Sequence, residues 1–221
     1  MVTVIMTTWD DGTGLRYEYA VACHESLRIG ITPNPHIIVT DDGSHNFNNL
    51  AMTLKGSRTS LLTGPHNGIG SSLNRAINHL SVLDPHEPWM YTTDDWLLTD
   101  NLDLTRAIQL LDIGYDMVRV GPPHPNLECT IQFQAGIGWW LDIHTYLPAT
   151  GFAFATRPFI AAPSLYRKIG AFKEGVDSYE CERDYSDRVW DHGGIKIAAV
   201  TLHGPWEHIG EYAVGNRPVT V

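Results

Sequence analysis

The chain has 221 residues, 43% apolar and 10% aromatic, enough to bury one substantial core and short for two full domains. Its 15 basic residues against 25 acidic ones leave a formal charge of −10, which disfavours a protein whose main task is neutralising nucleic-acid phosphates. Cys23, Cys129 and Cys181 lie far apart in no CxxC or CxxH pattern, so neither a zinc cluster nor a disulfide framework is indicated.

Val2 to Thr8 is β-branched and apolar at successive positions, the pattern of a strand covered on both faces. No basic stretch precedes Asp10 and Asp11, so this start reads as a strand and not a signal peptide. No apolar run reaches the ~20 residues of a membrane span, and the chain is expected to be soluble and cytoplasmic. Leu15, Tyr19, Cys23 and Leu27 recur at helical spacing, and Gly30, Pro33 and Pro35 close that helix. His36–Thr40 reads as a second strand ended by Asp41, Asp42 and Gly43, Phe47–Lys55 as a short helix, and Ser60–Thr63 as a third strand. Gly70–Leu80 sets Leu73, Ile77 and Leu80 on one helical face, and Trp89–Thr93 is a fourth strand. Leu104, Ala107, Ile108 and Leu111 mark another helix, with Met117–Val120 a fifth strand after it. This alternation predicts a single α/β domain over residues 1–221, with a mainly parallel central sheet flanked by helices.

From Gly121 to Gly151 the period is lost among three prolines and the run GIGWWLDIHTY. Loops of that length in a compact domain are usually functional, so the segment is expected to face substrate. Beyond it, Phe152–Thr156 reads as a strand, Pro163–Ile169 as a short helix, Tyr179–His192 as a helix stopped by Gly193 and Gly194, and Ile195–Val200 as a last strand.

Ligands of open α/β sheets bind beyond the carboxyl ends of the strands. Those ends here carry Thr7, Thr8, Trp9 and Asp10; then Asp41, Asp42, Gly43 and Ser44; then Thr93, Asp94, Asp95 and Trp96. Asp-Asp-Gly-Ser is also ordinary turn chemistry, and either acidic pair can cap a following helix. Neighbouring carboxylates at a buried strand end repel one another unless a cation, water or donors face them. Hard oxygen ligands of this kind suit Mn²⁺ or Mg²⁺ shared with a substrate phosphate. There is no GxxxxGK[ST] loop and no GxSxG elbow, and GIGSS at 68–72 lacks the dinucleotide spacing.

VTVIMTTWD, IIVTDDGS, NGIGSSLNRAI and YTTDDW, in this order, resemble the family 2 glycosyltransferases of the GT-A fold. These enzymes move a sugar from a nucleotide diphosphate to an acceptor hydroxyl. The likeness covers residues 2 to about 100 and continues more loosely through FATRPFIAAPSLYRKIGAF, ECERDYSDRVWDHGGIKIA and WEHIG. It implies a nucleotide-sugar-binding half, 1–100, and an acceptor-side, catalytic-base half, 101–221. By that resemblance Thr7, Thr8 and Trp9 line the nucleoside pocket, Asp41 or Asp42 accepts from the base or ribose, and Gly68 to Asn74 lie beside the nucleotide. Asp94 and Asp95 correspond to the DxD acids, with Thr93 in place of the first, so Asp95 is the expected metal ligand and Asp94 faces ribose or metal. His208 matches the late metal-ligand histidine, with His203 the alternative.

The family often has an arginine where Leu73 stands, which leaves the diphosphate to be neutralised by the metal or by another base, Arg75 or Arg157. Counting back from Arg188 makes Glu182 the catalytic base, with Asp184 and Glu180 as rivals. Inversion by single displacement is the implied outcome. The acceptor is not identified; Trp139, Trp140, Tyr146 and Trp206 can stack on a sugar or equally fill a core. A nucleotidyltransferase, or a non-catalytic nucleotide- or sugar-binding module of this fold, would share the strand-end acids.

Overall fold

The computed structural model describes residues 2–121, 127–146, 154, 157–201 and 204–210. The chain opens with β1 (Thr3–Thr8), α1 (Leu15–Gly30), β2 (Ile31–Thr32), β3 (His36–Asp41), α2 (Phe47–Leu54), β4 (Thr59–Thr63) and α3 (Gly68–Leu83). It continues through β5 (Trp89–Thr93), β6 (Trp96–Leu98), β7 (Leu102–Asp103), α4 (Thr105–Asp112), β8 (Met117–Arg119), β9 (Leu127–Gln134) and β10 (Gly138–Tyr146). The last elements are β11 (Phe159–Ala161), α5 (Pro163–Ile169), α6 (Ser178–His192), β12 (Ile197–Ala199) and β13 (Trp206–His208).

Nine strands form one sheet in the order β4-β3-β1-β5-β11-β8-β12-β10-β9 among the described residues. β4, β3, β1 and β5 are mutually parallel, β11 runs against both β5 and β8, and β10 runs against β12 and β9. Seven strands therefore point one way and only β10 and β11 the other, the mainly parallel sheet that the alternation predicts.

The doubly apolar strands follow from two-sided burial. Val4 and Met6 of β1 pack with Ala20, Cys23 and Leu27 of α1 and Leu110 of α4 on one face. Ile5 between them packs with Leu73 and Ile77 of α3, Leu165 of α5, and Tyr185 and Val189 of α6 on the other. Period-2 side-chain alternation thus reaches a core on both sides. The ends of α6 are set locally: Asp177 accepts from Glu180 N at 2.8 Å, and Gly193 closes the helix at φ 67°.

The 121–151 segment is not a loop where it is described. β9 and β10 form an antiparallel hairpin turned at Gly136 and Gly138, and β10 joins the sheet through β12. Trp140 enters one core while Leu141 and Ile143 meet the other, and Ile131, Phe133 and Trp139 are exposed. Apolar residues on every face erased the period-2 signal. Residues 122–126 and 147–150 lie outside the described residues, as does the strand expected at Phe152–Thr156 apart from Phe154, which is buried. β11, three residues in mid-sheet, went unread because three residues display no period. No helix among the described residues is long and apolar enough to cross a membrane.

Candidate active site

Register places the strand ends side by side. Thr7 of β1 pairs with Thr40 of β3 and Thr93 of β5, and Thr8 pairs with Asp41. Asp42 N donates to Thr8 O at 3.0 Å and Asp94 N to Thr7 O at 3.1 Å, so the ladder runs on past the strands and fixes both acids against β1. A cleft of about 610 Å³ opens there, walled by Thr7, Thr8, Trp9, Arg16, Asp42, His66–Ile69, Ser72 and Thr93–Asp95, and by Gly175–Ser178 from the start of α6. That last wall is drawn in by α3: a Cβ on Gly70 would stand 2.0 Å from Lys173 O, and one on Gly68, at φ +84°, 2.5 Å from Val176 O. Only glycine allows this approach.

The two acidic pairs differ in use. Asp41 is wholly buried and does not line the cleft; it accepts from Gly43 N and Ser44 N at 3.0 Å and Thr63 Oγ1 at 2.9 Å, so it builds the turn. Asp42 lines the cleft but is engaged by Asn67 N at 3.0 Å, Gly68 N at 2.9 Å and His66 Nδ1 at 2.7 Å, a carboxylate capping α3. Trp9, 40% exposed, stacks on His66 at 4.8 Å at the mouth.

Asp94 and Asp95 form the floor. Asp94 is buried and accepts from Arg16 Nη1 at 2.6 Å and Thr8 Oγ1 at 2.8 Å. Burial pushes its carboxyl up to about 7 against the pull of Arg16. Asp95 accepts from Thr93 Oγ1, from Arg16 Nη1 at 3.3 Å, and faces His208 Nε2 at 3.5 Å. Burial opposes its charge, but the hydrogen bonds from His208 and Thr93 and the nearby positive charges outweigh it and hold the carboxyl below its usual range. His208 arrives on the ribbon of β13 with β6, its ring 4.8 Å from Trp96, and Ile209 N donates to Asp95 O at 2.8 Å.

The expected Mn²⁺ or Mg²⁺ ligands Asp94, Asp95 and His208 are thus neighbours, yet each of the four carboxylate oxygens already faces a protein donor. Among the described residues no group of three or more His, Cys, Asp or Glu side chains is set to hold an ion. Arg16 Nη1, 2.6 and 3.3 Å from the two acids, already puts a positive charge where a hard cation would bridge them, and the donor set as folded does not fit a second. The residue that stands between the acids is Arg16, in the first turn of α1. In the sequence its only sign was being the single base close to Gly12 and Gly14.

The other expected residues separate. Asn74 is a strut outside the cleft: it donates to Phe172 O at 3.0 Å and Glu174 Oε1 at 2.7 Å and accepts from Phe172 N at 2.8 Å and Tyr166 Oη at 3.1 Å. Arg75 donates to Asp41 O at 2.9 Å, also behind the cleft. On α6, Glu180 pairs with Lys173 at 2.6 Å and Asp184 with Arg188 at 2.7 Å. Glu182 is 9% exposed, one helical turn below cleft-lining Ser178, and does not itself line the cleft. Trp140 and Trp206 are buried and Trp139 exposed, none of them in the cleft wall. His203 and the Tyr146 side chain lie outside the described residues. His66, Asn67 and Asp177 line the cleft from loops, which give no periodic signal, and Ser178 lines it as the first residue of α6.

No family model matches the sequence, and no curated protein is similar to it in sequence. Solved structures are similar to it in fold. The crystal structure of S. aureus TarS residues 1–349 superposes with a TM-score of 0.61 at 13% identity, and the same protein in complex with UDP-GlcNAc with 0.62 at 13%. The chain has a GT-A-like α/β fold. In each comparison 95% of this chain is covered and 60% of the other, so the chain spans about 60% of the length of the proteins it resembles.

Proposed function

We propose that the protein transfers a sugar from a nucleotide-diphosphate donor to an acceptor hydroxyl. One observation carries this reading: the cleft beyond the carboxyl ends of β1, β3 and β5, floored by Asp94 and Asp95, in a fold shared with a protein that has been crystallised with UDP-GlcNAc. Trp9 and Thr7 offer the nucleoside an aromatic face and a hydroxyl, and the diphosphate lies toward Arg16.

The acceptor oxygen attacks the anomeric carbon as the bond to the diphosphate breaks, so the nucleoside diphosphate departs with the bonding pair and the centre inverts. The acceptor proton passes to a carboxylate of α6. Glu182 is the base that its place on α6, six residues before Arg188, names for this; Asp184 is the rival named by position. General-base assistance of this kind contributes ~10²- to 10⁴-fold.

A second reading, a non-catalytic nucleotide-sugar-binding module, is favoured by Thr93 in the first acid position and by Glu182 standing back from the cleft wall. A thermal-shift panel of nucleotides and nucleotide sugars tests donor binding, since a ligand at 100 times its Kd raises stability by about 2.7 kcal/mol. Stabilisation by one diphosphate class supports both readings, and release of nucleoside diphosphate in the presence of acceptors selects the enzyme. A flat panel defeats both.

A further inference from the structure

Arg16 occupies the centre of the acid pair. Its Nη1 reaches Asp94 Oδ1 at 2.6 Å and Asp95 Oδ2 at 3.3 Å, and it is the one Lys or Arg lining the cleft among the described residues. Thr8 and Thr93 take the remaining oxygens of the pair. A guanidinium carries five N–H donors. Both contacts use Nη1, and among the described residues Nε and Nη2 donate to no protein group.

The surrounding charges are already committed. Asp42 is engaged by two backbone N–H groups and His66, and Asp177 caps α6. That leaves Asp94 and Asp95 facing Arg16, with further negative charge to arrive on any diphosphate. Arg is suited to such a post because its charge is permanent and its planar fork fits phosphate oxygens two at a time.

Resting on the donor reading above, we infer that Arg16 is the resident counter-cation of this site: Nη1 neutralises the Asp94–Asp95 floor, and Nε and Nη2 bind the diphosphate of the donor, without a divalent metal. The acids position Arg16, and Arg16 contacts the phosphate. Thr93 fits this assignment, since a third acid would leave a single guanidinium facing an excess of negative charge, whereas threonine donates to Asp95 and lowers that excess.

Calorimetric titration of the wild-type chain with UDP, GDP, CDP, ADP and dTDP, in EDTA and again in Mn²⁺, tests this. One nucleoside diphosphate is expected to bind in EDTA with an affinity unchanged by Mn²⁺. Arg16→Gln is expected to bind it ~10- to 100-fold more weakly in EDTA, the worth of a charged hydrogen bond, with Arg16→Lys between the two. Circular dichroism melting shows whether each variant is folded, and the wild-type comparison needs no variant. Binding by the wild type only with Mn²⁺, or equal binding by Arg16→Gln in EDTA, would overturn the inference while leaving the donor reading intact. Failure of every nucleotide with and without Mn²⁺ would overturn the donor reading itself, and this inference with it.

Discussion

Asp42→Ala separates two roles for a carboxylate at the cleft, ligand for the nucleoside or cap for α3. In the structure Asp42 is 4% exposed and accepts from Asn67 N and Gly68 N at 3.0 and 2.9 Å, with His66 Nδ1 at 2.7 Å. Truncation strands both backbone N–H groups and removes a charge from a helix N-terminus. Loss of a cap costs ~0.5–2 kcal/mol, and hydrogen bonds to a charged group ~1.5–3 kcal/mol each at the outside. These overlap, so about 2–4 kcal/mol is expected in denaturant unfolding. At ~2–4 °C per kcal/mol for a chain of this size, melting falls by roughly 5–15 °C. Asp42→Asn keeps one acceptor oxygen and should recover about half of the loss. If Asp42→Ala melts with the wild type and only nucleotide binding suffers, the cap is wrong and the carboxylate serves the ligand.

Asn74→Ala removes all four hydrogen bonds that tie α3 to Phe172, Glu174 and Tyr166, and urea titration should show ~2–4 kcal/mol lost, because the abandoned Phe172 N and O are buried. Glu182→Gln should reduce sugar transfer ~10²-fold or more with donor affinity unchanged; near-native transfer would move the base to Asp184. With Cys129 exposed, Cys23 and Cys181 buried, and burial pushing the Cys181 thiol up to about 12, one cysteine should react with a thiol reagent at pH 8 in the native protein and three in denaturant. A second fast-reacting thiol in the native protein would contradict the packing of α1 or α6.

Elements whose side chains are sorted by burial were readable. β1, β3 and β5 announced themselves through consecutive apolar residues because both faces of the sheet are covered, and α3 and α4 through one apolar stripe each. β10 was not readable for a related reason: Trp140 meets one core, Leu141 and Ile143 the other, and Trp139 stays outside, so no alternation survives. Very short strands such as β11 and β13 exist only through partners distant in sequence, Tyr91 and Arg119 for the one and Trp96 for the other.

At the site, strand-end acids were visible because topology alone delivers them to one edge. Their division of labour was not. Whether Asp41 or Asp42 faces the cleft depends on which backbone N–H groups fold over each, and those belong to residues 43–44 and 67–68. Arg16 was hidden for a different reason. Its partners lie 78 and 79 residues away, and on a helix an arginine reads as solvated surface until the fold sets it beside them.

The central claim, that a nucleotide-diphosphate sugar occupies this cleft, is tested most directly by calorimetric titration of UDP-, GDP-, CDP-, ADP- and dTDP-sugars into the wild type and Ser178→Trp. Ser178 is exposed at the start of α6 yet lines the cleft, so an indole there fills the site while leaving the melting temperature in place. One nucleotide sugar should bind the wild type and lose its affinity in Ser178→Trp. Equal binding to both proteins, or no binding of any donor to the wild type, would contradict it.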